Sequence, residues 1–173
     1  MFGIKWIFNK KSLPIVRRGF TIIEIVVVIA IIVLAFFAIL GFFIIDARVT
    51  DRSRARLEAI SLAEEGVEAI RNFRDFNDWS VDGLGTLSSG VNYHPVRASS
   101  SWDIVSGSET INGFIRSIIF NRVSRDTNDN IEQVYNPLND DPNTRKVTVT
   151  ITWVDRQGAG TENLVTYLTN WRE

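Results

Sequence analysis

Three features of the sequence predict an α+β fold: a charge-free apolar run of helical length, an amphipathic helical repeat directly after it, and an alternating Val/Thr strand near the C-terminus. The first two read as one long N-terminal helix. The third belongs to an antiparallel β-sheet head that packs one face on the outer half of that helix. The chain of 173 residues allows one ordinary globular domain plus an extra element, and it shows no internal repeat.

The apolar run extends from Ile25 to Ile45, 21 residues without a charge, 17 of them Ile, Val, Leu or Phe. At 1.5 Å per residue it covers roughly 30 Å, the thickness of a bilayer core. Its aliphatic and aromatic residues contribute on the order of −5 to −10 kcal/mol to insertion, against a cost of about 3 kcal/mol for one acidic residue near the centre. A transmembrane helix is therefore expected despite Glu24 just inside the apolar wall. A buried core helix is the competing reading, but cores seldom supply a helix that is apolar on every face. Charge leaves the orientation weakly specified, because Arg48, Arg52, Arg54 and Arg56 follow the run almost as densely as Lys5, Lys10, Lys11, Arg17 and Arg18 precede it. No small-x-small cleavage signal follows the apolar stretch, and the small residue Gly19 precedes it instead.

Arg17-Arg18-Gly19-Phe20-Thr21-Ile22-Ile23-Glu24, followed by about twenty apolar residues, resembles the N-terminal cleavage and methylation motif of type IV prepilins and pseudopilins. Basic residues, glycine, phenylalanine, the glutamate and the apolar helix stand in the family's order. The resemblance implies that a membrane prepilin peptidase and methyltransferase cuts between Gly19 and Phe20 on the cytoplasmic face and N-methylates Phe20. It also implies a cytoplasmic leader peptide over 1–19 that carries the basic residues Arg17 and Arg18. The mature protein would then be a single-pass protein of the cytoplasmic membrane with its head outside. Its implied partners are the membrane, an assembly platform and other pilin or pseudopilin subunits met through the N-terminal helix. Together they would form a type IV pilus (a fimbrium) or the related filament of a type II secretion or DNA-uptake machine.

Cleavage would create an α-amine at Phe20, one helical turn before Glu24. Opposite charges in a low-dielectric layer attract far more strongly than in water, so each makes the other less costly. A Glu24–Phe20 charge pair between neighbouring subunits would favour one helical register over others. The plainer alternative has Glu24 complementing the helix N-terminal dipole while reaching toward headgroups.

After Ile45 the pattern becomes amphipathic: Leu57, Ile60, Ala63, Val67, Ile70 and Phe73 recur at spacings of three and four. With no proline between Pro14 and Pro95, one helix is expected over 20–76, its 25–45 part transmembrane and the remainder an amphipathic stalk. Gly41 is either a soft spot or merely tolerated, as glycine commonly is in membrane helices. Gly66 would let a sheet approach closely. The Gly/Ser/Asn-rich stretch 77–101 reads as a connecting loop and 102–173 as the sheet head. Within the head, WDIV, GFIRSIIFNRV, VTVTITWV and NLVTYLTNW read as strands, with Val147, Val149, Ile151 and Trp153 on one face and Thr148, Thr150 and Thr152 on the other.

Few residues offer chemistry. The absence of cysteine removes thiolate sites and disulfides, and the lone histidine, His94, reads as a surface loop residue. DTNDNIE places Asp126, Asn128, Asn130 and Glu132 at alternating positions, the opening spacing of a calcium loop. Ile131 then stands where that loop needs glycine, and Pro137 where it needs a bidentate glutamate. Calcium is thus the single cofactor candidate, beside a plain Asn/Asp turn. Glu64, Glu65 and Glu68 read first as a salt-bridged helix surface with Arg71 and Arg74. Trp102, Trp153, Tyr167 and Trp171 read as core or sheet surface. The first nineteen residues hold five of the 19 basic side chains, leaving 14 against 20 acidic ones, which gives no support to a nucleic-acid partner. No nucleophile, base and orienting group converge, so an enzyme is not expected. A pilin-like structural subunit is the first expectation, with the absent cysteines favouring a minor pilin or pseudopilin over a major pilin. A membrane-anchored extracellular binding module that does not polymerise is the alternative.

Overall fold

The computed structural model describes residues 19–99 and 101–172, the side chains of residues 44, 45 and 47 apart. The chain divides into two compact units between Ile45 and Asp46. One helix, α1 (Ile22–Phe76), contributes to both. It starts at Thr21, whose backbone carbonyl and hydroxyl accept from the Glu24 amide at 3.1 and 3.3 Å. A threonine in this place satisfies one of the donors that a helix start leaves unpaired.

In the first unit every described side chain from Phe20 to Phe43 is exposed. In the second, α1 buries a face through Ala59, Ala63, Val67, Ile70 and Phe73. Leu57 and Ile60, expected on that face, lie off it and are exposed. The contact line descends instead through Ala55, Ala59 and Ala63, at a spacing of four along one side of the helix.

The sheet runs in the order β2-β1-β4-β5-β6, all antiparallel, from β1 (Asn92–Ala98), β2 (Ser101–Ser106), β4 (Phe114–Ser124), β5 (Asp140–Asp155) and β6 (Gly158–Thr169). A short β3 (Glu109–Ile111) pairs with the start of β4. Alternation along β5 buries Val147, Val149, Ile151 and Trp153 and turns Thr148, Thr150 and Thr152 to the other face, as expected. The buried set packs with Ile118, Phe120 and Leu168 against the helix face. Gly66 sits at the closest approach: a Cβ there would lie 3.2 Å from Val149 Cγ1 and 3.4 Å from Arg116 Cδ.

Three expectations need correction. The stretch 77–101 is not wholly a connecting loop, since it contains β1 and a 3-10 turn at Leu84–Thr86. The sheet therefore begins at Asn92 and not at residue 102. Pro95 hid that strand: β1 pairs with β4 only at Asn92 and Tyr93, so Pro95 lies beyond the shared ladder, where a missing N–H is tolerated. His94 accordingly stands in a strand and not in a loop. β5 also starts earlier than VTVTITWV, at Asp140, because Asp140 and Asp141 pair with Ser124 and Val123 after a register shift beyond Arg122. Sequence did carry the signal for β3, unread: Asn112-Gly113 between Ile111 and Phe114, with φ of 51° and 87°, is a two-residue hairpin turn.

Gly160 makes room for a core tryptophan. It stands opposite Trp153, and a Cβ there would come within 2.3 Å of two indole carbons. That ring is buried against Phe114, with centroids 5.6 Å apart. We expect Gly160→Ala to displace Trp153 and cost about 1–3 kcal/mol. Chemical denaturation and the near-ultraviolet circular dichroism of the full chain would check this, with Thr161→Ala next to it changing little.

Candidate functional site

The expected cleavage junction lies at the edge of the described chain. Arg17 and Arg18 lie outside the described residues. Gly19 and Phe20 precede α1, both exposed, Phe20 to 78%. Glu24 falls in the first helical turn, where a carboxylate complements the partial positive charge of the helix start. Thr21 and Glu24 also stand at the spacing of a capping box, a local role for both that the sequence reading passed over. None of the apolar window of α1 is buried, and its length and composition suffice to cross a membrane. So large an exposed apolar surface needs lipid or other apolar helices around it. It is compatible with a single-pass membrane anchor.

Within the second unit one buried charge was not foreseen. Arg116, read only as a strand residue, is 2% exposed and lies between helix and sheet. Its Nε donates to Glu109 Oε1 at 2.7 Å and its Nη1 to the Leu62 carbonyl at 2.9 Å, with Glu65 Oε2 3.7 Å away. A buried guanidinium is tolerable only when paired in this way. The helix carboxylates otherwise behave as expected of a solvated surface: Glu68 pairs with Arg71, while Arg74 pairs with Asp75.

The expected calcium residues occupy a turn after β4. Asp126 Oδ1 accepts from the backbone amides of Asn128 and Asn130, both at 2.9 Å, and Oδ2 from the Asn130 side chain at 3.2 Å. Those donors, the Asn130 amide foremost, hold the Asp126 carboxyl below the usual range. Glu132 is directed elsewhere, accepting from Asn139 Nδ2 at 3.5 Å. Asp126 and Asn130 thus meet, Asn128 takes part through its backbone, and Glu132 stands apart. Among the described residues no group of three or more His, Asp or Glu side chains is placed to hold a metal ion.

A cation of the chain's own occupies this turn. Arg125 Nε lies 2.6 Å from Asp141 Oδ2, and its Nη1 donates to the Asp129 carbonyl at 2.9 Å. Burial pushes the Asp141 carboxyl up, but the hydrogen bonds from Arg125, Thr144 and the Asn143 amide outweigh it and hold the group low. A carboxylate whose folded pKa is depressed stabilises the fold above its unfolded value, and that contribution is lost as pH falls through the folded value. Asp141→Asn should therefore cost about 1–3 kcal/mol at neutral pH. Stability of the variant should also depend less on pH below about 4, as urea denaturation along a pH series would read.

Comparison of the chain with family models, with curated proteins and with solved structures gives no match.

Proposed function

We propose that the chain is a pilin-like structural subunit, processed at Gly19–Phe20 and assembled through its N-terminal helix into a type IV pilus or a related secretion or DNA-uptake filament. One observation carries the reading: basic residues, Gly19, Phe20 and Glu24 stand in the prepilin order at the start of a helix whose first half, to Phe43, is apolar and exposed all round. Placement of the junction supports it too. Gly19 and Phe20 precede the first helical residue, so a peptidase could engage their peptide bond without unwinding a helix.

The mechanism is physical. After hydrolysis of that bond the subunit rests in the cytoplasmic membrane with its head outside. During assembly its apolar helix exchanges lipid for the helices of neighbouring subunits. Glu24, in the first turn, accepts the charge of a methylated Phe20 amine and selects one axial register. The sheet heads form the outer surface. Lacking cysteine, the head cannot close the disulfide-bounded loop of many major pilins, which favours a minor pilin or a pseudopilin.

Mass spectrometry of the mature protein from its native host tests the processing step. The expected N-terminal residue is Phe20, heavier by one methylene, about 14 Da. An N-terminus still beginning at Met1 would overturn the proposal.

Assembly is tested separately with Glu24→Ala. Processing and membrane insertion should survive, while the amount recovered in sheared filaments should fall about tenfold or more, as loss of a charge-assisted contact predicts. Wild-type incorporation of that variant would show that the charge pair has no part in register.

A further inference from the structure

Three arginines of the β4–β5 region are drawn out of water, and they are not treated alike. Arg116 is met by Glu109 and Glu65, and Arg125 by Asp141 and Asp129. Arg145 is 6% exposed, yet no carboxylate lies within 4 Å of it among the described residues. Its Nη2 donates to the Gly85 carbonyl at 2.6 Å, and its buried Nε has no acceptor. Burial first, and then the charge of Arg122, push its pKa down; Asp140 and Tyr135 act in the opposite sense.

Register adds to the cost. Arg122 is the cross-strand partner of Arg145, and like charges directly opposite on a sheet destabilise it. Arg122 is better provided for: the Tyr135 side chain first, and then Asp140, whose Oδ2 stands 4.0 Å from its Nη1, push its pKa up, while Asp140 Oδ1 accepts from the Tyr135 hydroxyl at 3.0 Å. Two guanidiniums therefore share one carboxylate, in a unit that is acidic as a whole. They line one open cavity of about 320 Å³, completed by Asp140, Thr86, Ser80 and Trp79 among others. The Thr86 hydroxyl already donates to the Gly83 carbonyl at 2.8 Å, which leaves Ser80 as the hydroxyl beside the surplus positive charge.

We propose that this cavity binds a small oxyanion, a phosphate, a sulfate or the carboxylate of a small organic acid, between Arg122 and Arg145. Guanidinium groups present paired donors that match the oxygens of all three. An anion held there would supply the countercharge that the chain provides for Arg116 and Arg125 but not for Arg145. The site is independent of the filament reading, since it needs neither cleavage nor a neighbouring subunit.

Isothermal titration of the full chain in a non-ionic maltoside tests it, with sodium phosphate, sulfate or acetate as probe and sodium chloride holding the ionic strength constant. We expect saturable one-site binding of at least one probe. Phosphate or sulfate without acetate identifies a tetrahedral ligand, and acetate alone a carboxylate. Arg122→Gln, on a largely exposed side chain, should weaken binding about tenfold or more. Lys146→Gln, one residue along on the opposite sheet face, should leave it within about twofold, because a charge outside the cavity contributes only screened attraction. Absence of saturable heat with all three probes would overturn the proposal. So would an equal loss in the two variants, or no loss in Arg122→Gln.

Discussion

The close seam between α1 and β5 is the constraint from which the head is built. It needs small residues on the helix, and Ala59, Ala63 and Gly66 supply them in register, with Gly66 set over Val149. Larger residues, Val67, Ile70 and Phe73, then fill the space further along. Because β5 is paired with β4 on one side and β6 on the other, its position carries the rest of the sheet with it. The side chain of Arg116 lies in the same seam, and its donation to the Leu62 carbonyl ties strand to helix. An apolar residue could fill that volume, yet would give up the link that a directional donor provides. The pair with Glu109 also holds β3, the shortest strand, against β4.

Charge placement in the head follows from how each arginine is drawn out of water. Where a guanidinium is buried by design of the seam, as at Arg116, a carboxylate comes with it. Where one closes a turn, as at Arg125, it takes the role that a bound cation would have in an acidic loop. Asp129 and Asp141 thereby share a countercharge from the chain itself. Arg145 departs from the pattern, buried by its cross-strand position and by the Trp79–Gly85 segment beside it, with the Gly85 carbonyl as its hydrogen-bond acceptor and Asp140 acting only from beyond ion-pair distance.

Legibility in the sequence tracked how local the determining physics is. The long helix was readable because an apolar run and a period of three to four residues are local signals, and β5 because Val/Thr alternation is one as well. β1 was not, since what makes Asn92–Ala98 a strand is pairing with β2 and β4, while Pro95 argues locally against it. Leu57 and Ile60 fit a helical period but missed the buried face, because periodicity selects a face only to within a residue and the sheet decides which side is used. Arg116 and Arg145 carry no local mark of burial: the carbonyls they bond, of Leu62 and Gly85, lie far along the chain, and Glu109 meets Arg116 only once the β3–β4 hairpin is formed. Of the N-terminal site, the order of residues was readable, and the Thr21-x-x-Glu24 spacing carried the helix cap as well, although the apolar run drew attention away from it.

That cap bears on how Glu24 can act. Thr21 occupies the helix start and accepts from the Glu24 amide, so the helix begins after Phe20 whether or not anything precedes that residue. The first-turn amides already present partial positive charge to the Glu24 position, without any partner. A new amine at Phe20 would add a second positive group at the same helix end, and Glu24 would face both. The local contribution is the same in every subunit and cannot distinguish one register from another. A contact with another subunit's amine can, because it exists at one axial offset only. If register in the proposed filament is selected electrostatically, the selecting term is therefore the intermolecular one, and the capped helix start fixes only where along the helix Glu24 stands.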